Sequence, residues 1–242
     1  MSARVIIFDT ETTGLSPATG DRIVEIGAVE LIGMQVGETF HRYINPERDV
    51  PEEVVRVHGL TGHFLSDKPL FAHVCEDLMK FFGDDTIVAH NAAFDRNFLN
   101  AELERCGLQP TPESRYVDTL ALAKAKLRAG TRMSLDGLSK HYRLDQRGFD
   151  LAARKGAGGH GALLDAKMLA EIYIELMGGR VQELFISEAA AAQAASAEAA
   201  LHISSPNARA RLKPMPLLST ASERAAHEQF TNKLPGGNFW NE

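Results

Sequence analysis

The first 44 positions carry their apolar residues in short blocks suited to strands. Arg4 to Phe8 is one such block, and Arg22 to Ile32 and Val36 to Ile44 are two further runs of strand-forming residues. Gly33 to Gln35 separates the last two as a turn, which predicts three adjacent antiparallel strands. The period then changes. Helical patterns are predicted at about Leu70 to Phe82 and at Ala92 to Cys106, where Phe94, Phe98, Leu99 and Leu103 recur at helical spacing. A short strand, Thr86 to Ala89, lies between them. Further helices are expected at Leu120 to Leu127, Ser134 to Tyr142 and Ala162 to Met177, the last stopped by Gly178 and Gly179. Alternation of strand and helix after an antiparallel start describes a mixed α/β domain ending near residue 179.

Beyond that point the pattern fades. Residues 189–200 are mostly alanine with Gln193, Ser196 and Glu198, and residues 204–219 carry Ser, Pro and Asn. Few large apolar groups are available to bury, so this stretch reads as a flexible linker that is marginally helical at best. From Ser219 to Trp240 a helix-compatible pattern returns, followed by Pro235, Gly236, Gly237 and the single tryptophan. A lone aromatic there suggests docking to a partner, since large aromatics anchor interfaces; an incidental exposed terminus is the plainer alternative. The expected organisation is a domain over 1–179, a linker over 180–218 and a tail segment over 219–242.

Composition narrows the classes. With 242 residues, 44% hydrophobic and 24% charged, the chain can bury one sizeable core. The apolar stretches fall short of the roughly 20 residues that span a bilayer, and the start lacks a signal-peptide pattern, so an intracellular protein without membrane contact is expected. Cys75 and Cys106 have no CxxC spacing and read as reduced packing residues. A net charge of -6 argues against holding nucleic acid by a general positive field. Locally, Lys124, Lys126, Arg128, Arg132, Lys140, Arg143, Arg147, Arg154 and Lys155 face only Asp136, Asp145 and Asp150. That segment could meet a phosphate backbone or be a solvated helical surface.

The candidate chemistry is acidic. Asp9 and Glu11 lie at i and i+2 near the end of the first strand, so the pleat sends both carboxylates to one face. Their repulsion is relieved most directly by a hard divalent cation, although Asp-x-Glu is also common on solvated strand ends. Asp95 falls in the first turn of a helix within His90-Asn91-Ala92-Ala93-Phe94-Asp95, where a carboxylate can simply complement the helix dipole. His160 sits in the glycine-rich stretch Gly156 to Gly161, and Asp165 follows five positions later at the start of a helix. A histidine there can reach a substrate, or be an ordinary surface residue.

Taken together, Phe8-Asp9-Thr10-Glu11-Thr12-Thr13-Gly14, the block from His90 to Asp95, and His160 with Asp165 resemble the three exonuclease motifs of the DEDDh family of 3′-5′ exonucleases. The likeness covers about residues 4–179 and is nearest the proofreading branch that serves bacterial replicative polymerases. Ala225-Ala226-His227-Glu228 and Gly236-Gly237 before Trp240 resemble that branch's segment for binding the polymerase catalytic (alpha) subunit.

The resemblance implies a ribonuclease H-like sheet, with Asp9, Glu11, Asp165 and Asp95 holding two divalent metal ions, Mg²⁺ or Mn²⁺. His160 would be the general base, and the 3′ end of DNA the substrate, hydrolysed to nucleoside 5′-monophosphates. Residues matching Glu53 and His58 would contact the terminal nucleotide, along with Thr10 and Thr12 beside the metals. Gly14 would let the backbone approach closely. Gln182-Glu183-Leu184-Phe185 resembles a short sliding-clamp-binding peptide with Gln182, Leu184 and Phe185 as its anchors, or is a frayed helix end. A small third core subunit stays open. So do an RNA-trimming or oligonucleotide-degrading role and a non-catalytic polymerase-binding platform. The expected location is the bacterial cytoplasm, at the replication fork.

Overall fold

The computed structural model describes residues 4–151 and 160–179. Three strands, β1 (Arg4–Thr12), β2 (Ile23–Ile32) and β3 (Gln35–Tyr43), form an antiparallel meander, as the early apolar blocks predict. Gly33 and Met34, with φ of 56° and 66°, make the tight turn between β2 and β3. Two more strands, β4 (Thr86–Ala89) and β5 (Tyr116–Asp118), extend the sheet in parallel with β1, giving the order β3-β2-β1-β4-β5. The helices are α1 (Glu52–His58), α2 (Gly62–Leu65), α3 (Phe71–Phe82), α4 (Ala92–Arg105), α5 (Thr119–Lys126), α6 (Leu135–His141) and α7 (Ala162–Leu176).

Strand alternation splits the core into two layers. On one face Ile6, Phe8 and Ile87 meet Phe71, Leu78 and Phe82 of α3 and Phe98 and Leu99 of α4. On the other, Ile7, Val29 and Val88 meet Leu138 of α6 and Ala166, Leu169 and Ile172 of α7. Each fully buried Leu, Ile or Phe contributes roughly 1.5 to 3 kcal/mol, so both faces of the sheet are held firmly. The same alternation sends Asp9 and Glu11 to the α7 side and Thr10 to the α4 side. Buried ion pairing adds a fixed point: Arg22 donates to both oxygens of Glu102, at 2.7 and 2.9 Å, tying the start of β2 to α4.

The structure departs from the pattern-based expectation in a few places. β1 runs on to Thr12, because its polar end also pairs with β2, with a register shift between Glu11 and Thr12. β5 has three residues, too few to show a period, and in α1 Val54 and Val55 are half-buried and Val57 is exposed, so the valines form no buried stripe. The basic segment is less free than its charge suggests. Arg147 is bonded to Glu171 and Glu175, and Lys126 to the Leu176 carbonyl. Cys75 and Cys106 are free thiols packed beside α3 and α4. Among the described residues no helix is long and apolar enough to cross a membrane. Arg154 and Lys155, the linker, and Gln182, Leu184, Phe185 and Trp240 lie outside the described residues.

Candidate active site

The site forms where β1 ends and α7 begins. In the register of β1 and β2, Asp9 stands opposite Gly27 and Glu11 opposite Glu25. Gly27 is where α7 comes down onto the sheet: a Cβ there would overlap the backbone of Ala162 and Leu163. This contact sets Asp165, in the first turn of α7, over the face that carries Asp9 and Glu11. Glu11, His160 and Asp165 each offer a ligand atom within 4.8 Å of the others. His160 Nδ1 lies 3.4 Å from Asp165 Oδ2, and its backbone N–H donates to the Val57 carbonyl at 3.4 Å. The last bond joins the histidine segment to the end of α1.

Asp95 approaches from the other face of the sheet. It is 3% exposed, in the first turn of α4, and accepts a 2.7 Å hydrogen bond from the Thr10 hydroxyl. Burial pushes its carboxyl up to about 7, against the opposing pull of the Thr10 hydrogen bond, and the negative charge of Asp118 pushes in the same direction as burial. Strand β1 therefore serves both faces at once. Its odd positions supply two carboxylates, and the intervening threonine tethers a third.

The predicted substrate residues are placed unevenly. His58 is buried at the end of α1, with Nδ1 accepting from the Leu60 N–H at 3.0 Å. Its Nε2 is the one buried side-chain polar atom among the described residues that lacks a hydrogen-bond partner. Burial holds this imidazole below the usual histidine pKa, and nearby His160 adds to the effect. Glu53 is exposed on the first turn of the same helix. The Thr12 hydroxyl donates to the Gly14 carbonyl at 2.6 Å, and the space left by the missing Gly14 side chain is filled by the Asp21 carboxylate.

Sequence reading passed over three residues that shape this site. Gly27 was legible in principle, since a glycine inside a strand signals close backbone approach. Glu25 is 3% exposed and bonded to His41 Nε2 at 2.7 Å, beside the start of α7. Asp118 accepts from the Asn91 N–H just before α4. Neither acidic residue has a local spacing that ties it to the other carboxylates.

A profile of the exonuclease family matches residues 6–173. The chain belongs to this exonuclease family. Its relatives include the DNA polymerase III subunit epsilon of Rickettsia prowazekii (strain Madrid E), 48% identical over 183 residues, covering 74% of this chain and 76% of that one. The subunit of the same name from Escherichia coli (strain K12) is 36% identical over 248 aligned positions, covering 98% of this chain and 97% of that one. Among solved structures, Exonuclease X in complex with 5′ overhanging duplex DNA superposes with a TM-score of 0.53 at 29% identity, covering 72% of this chain and 90% of that one. The nuclease domain of 3′hExo, a DEDDh family member bound to rAMP, gives a TM-score of 0.56 at 21% identity, covering 73% and 92%, a likeness of fold. The chain is a metal-dependent 3′-5′ exonuclease with a ribonuclease H-like fold.

Proposed function

We propose that this protein is the proofreading exonuclease subunit of a bacterial replicative DNA polymerase, removing mispaired 3′-terminal nucleotides as nucleoside 5′-monophosphates. The convergence of Glu11, His160 and Asp165 within 4.8 Å is the observation that carries the chemistry. The donor set fits hard divalent ions: carboxylate oxygens gather at one strand end, and burial disfavours the charged form of Asp95 when no cation faces it. Asp9, Glu11 and Asp165, supported by Asp95, would hold two ions, Mg²⁺ or Mn²⁺. When bound, such ions supply Lewis-acid charge to the reacting phosphodiester and make the attacking water more acidic.

The remaining steps belong to side chains. His160, with Nδ1 turned toward Asp165, keeps the proton on that nitrogen and presents Nε2 as acceptor for the proton of the attacking water. The new P–O bond forms as the bond to the 3′ oxygen of the penultimate nucleotide breaks, and the terminal nucleotide leaves with its 5′-phosphate. His58 Nε2, buried and without a partner, is suited to a hydrogen bond with that nucleotide, and Glu53 lies on the same short helix. Thr10 and Thr12 act on the substrate side of the site through the positions they give Asp95 and the Gly14 turn.

The chain divides, in this reading, into an exonuclease domain over 1–179, a linker over 180–218 and a polymerase-binding segment over 219–242 that includes Trp240. Coverage of almost the whole Escherichia coli subunit supports the tail assignment. Docking of the tail to the polymerase alpha subunit would bring the site to the frayed primer terminus in the cytoplasm, at the replication fork. Gln182, Leu184 and Phe185 are candidates for sliding-clamp contact, and a small third subunit would bind the catalytic domain. The test is release of mononucleotide from 3′-labelled DNA, matched and mismatched, and from RNA, with Mg²⁺ or Mn²⁺. Faster trimming of mismatched DNA, lost in Asp9→Ala, is expected; activity on RNA alone would replace the proofreading reading with RNA trimming.

A further inference from the structure

Asp118 ends β5 and stands at the N-cap of α5. One oxygen, Oδ1, accepts two backbone N–H groups, from Leu120 and from Asn91, each at 2.9 Å. Asn91 is the N-cap of α4 and holds the left-handed conformation, φ 63° and ψ 54°, with no capping bond from its own side chain. Its carbonyl accepts from Phe94 N–H at 2.9 Å, the residue before Asp95. Next to Asp118, the Thr119 hydroxyl bonds the Ala89 carbonyl at 3.2 Å and His90 Nδ1 at 3.0 Å. Three successive residues at the end of β4 are thus gripped by two successive residues at the end of β5.

We propose that Asp118 is a positioning residue for Asp95, acting through the left-handed turn at Asn91. The inference rests on the assignment of Asp95 to the catalytic set. A non-glycine residue enters the left-handed region at a cost and stays there when its surroundings reward that geometry. The bond from Asn91 N–H to Asp118 is such a reward, and the first turn of α4 is built directly on Asn91. Loss of the acceptor frees Asn91 to return toward the ordinary backbone regions. The turn then rotates and carries the Asp95 carboxyl away from the Thr10 hydroxyl that orients it. Because both bonds end on a single oxygen, an asparagine in place of Asp118 preserves the geometry and removes the charge.

The experiment measures kcat and KM on a 3′-labelled oligonucleotide with saturating Mn²⁺, and amide hydrogen exchange at Asn91 and Phe94 in the EDTA-treated protein. Asp118→Ala is expected to lower kcat about tenfold with little change in KM, and to speed exchange at Asn91. Asp118→Asn should stay near wild type in both readouts. Adding Asn91→Gly to Asp118→Ala should restore kcat, since glycine holds the left-handed turn unaided. That rescue separates the turn from the capping of α5, which the glycine does not touch. If Asp118→Ala does not fold, the double variant with Asn91→Gly carries the test and should turn over near the wild-type rate, since glycine holds the turn unaided.

The inference is overturned by full kcat in Asp118→Ala, by an equal loss in Asp118→Asn, or by failure of the glycine to rescue. Asp95→Asn serves as the reference variant. Undiminished turnover there would overturn the assignment of Asp95 itself, whereas an inactive Asp95→Asn beside a fully active Asp118→Ala overturns only the role of Asp118.

Discussion

Replacing Asp95 by asparagine should stabilise the metal-free protein, and increasingly so as pH rises. The buried carboxyl has its pKa raised from 3.8 to about 7, chiefly by burial, so the folded state binds a proton that the unfolded chain releases. The stability associated with that proton is complete below about pH 4 and is lost as pH climbs through about 7. At pH 5.5 about half of it remains and at pH 8.5 almost none does, a difference of about 2 kcal/mol from this residue. Asparagine keeps an oxygen for the Thr10 hydroxyl and carries no charge, so its stability lacks that component of the pH dependence. Urea denaturation of both proteins in EDTA at the two pH values measures the difference directly. The gap between variant and wild type should widen by about 2 kcal/mol in favour of the variant at the higher pH. Added Mn²⁺ should reverse the order by stabilising wild type more, because the ion favours the charged carboxylate. A gap that stays constant with pH would refute the reasoning, since it would mean that Asp95 ionises in the folded protein as readily as in the unfolded chain.

Three further outcomes follow from the geometry. His160→Ala should slow turnover by about 10²- to 10⁴-fold, the range for a positioned proton acceptor, with nucleotide release assayed across pH as the check; near-normal rates would remove its assigned role. Gly27→Ala, which drives a methyl into the backbone at the start of α7, should destabilise by about 1 to 3 kcal/mol and depress kcat together, read by thermal unfolding and by trimming assays. Arg22→Met removes the two-pronged partner of the Glu102 carboxylate, whose side chain is 1% exposed, and leaves it Arg105 at 3.4 Å, so it should cost about 2 kcal/mol in urea denaturation, with Glu102→Gln in the same background recovering part of it.

The elements that the sequence determined are those with a period long enough to read. Strands β1 and β2 and helices α3, α4 and α7 are each several turns or pleats long and rich in large apolar residues, and the need to bury them leaves one arrangement open to them, while β3, mostly exposed, is read from its strand-forming residues and the turn before it. The pleat also fixed in advance that Asp9 and Glu11 share a face, and motif spacing named Asp95, His160 and Asp165. Tertiary structure decided how these groups meet. Asp95 belongs to the opposite side of the sheet and reaches the site through Thr10, a contact across 85 positions of sequence. Asp165 is placed by an approach of α7 that a missing side chain at Gly27 permits, 138 residues away by the numbering. Glu25, Asp118 and the unpartnered nitrogen of His58 likewise acquire their surroundings from segments distant in the chain. Local pattern reports which face a side chain takes. The company it keeps there depends on which elements pack together, and only the folded sheet supplies that.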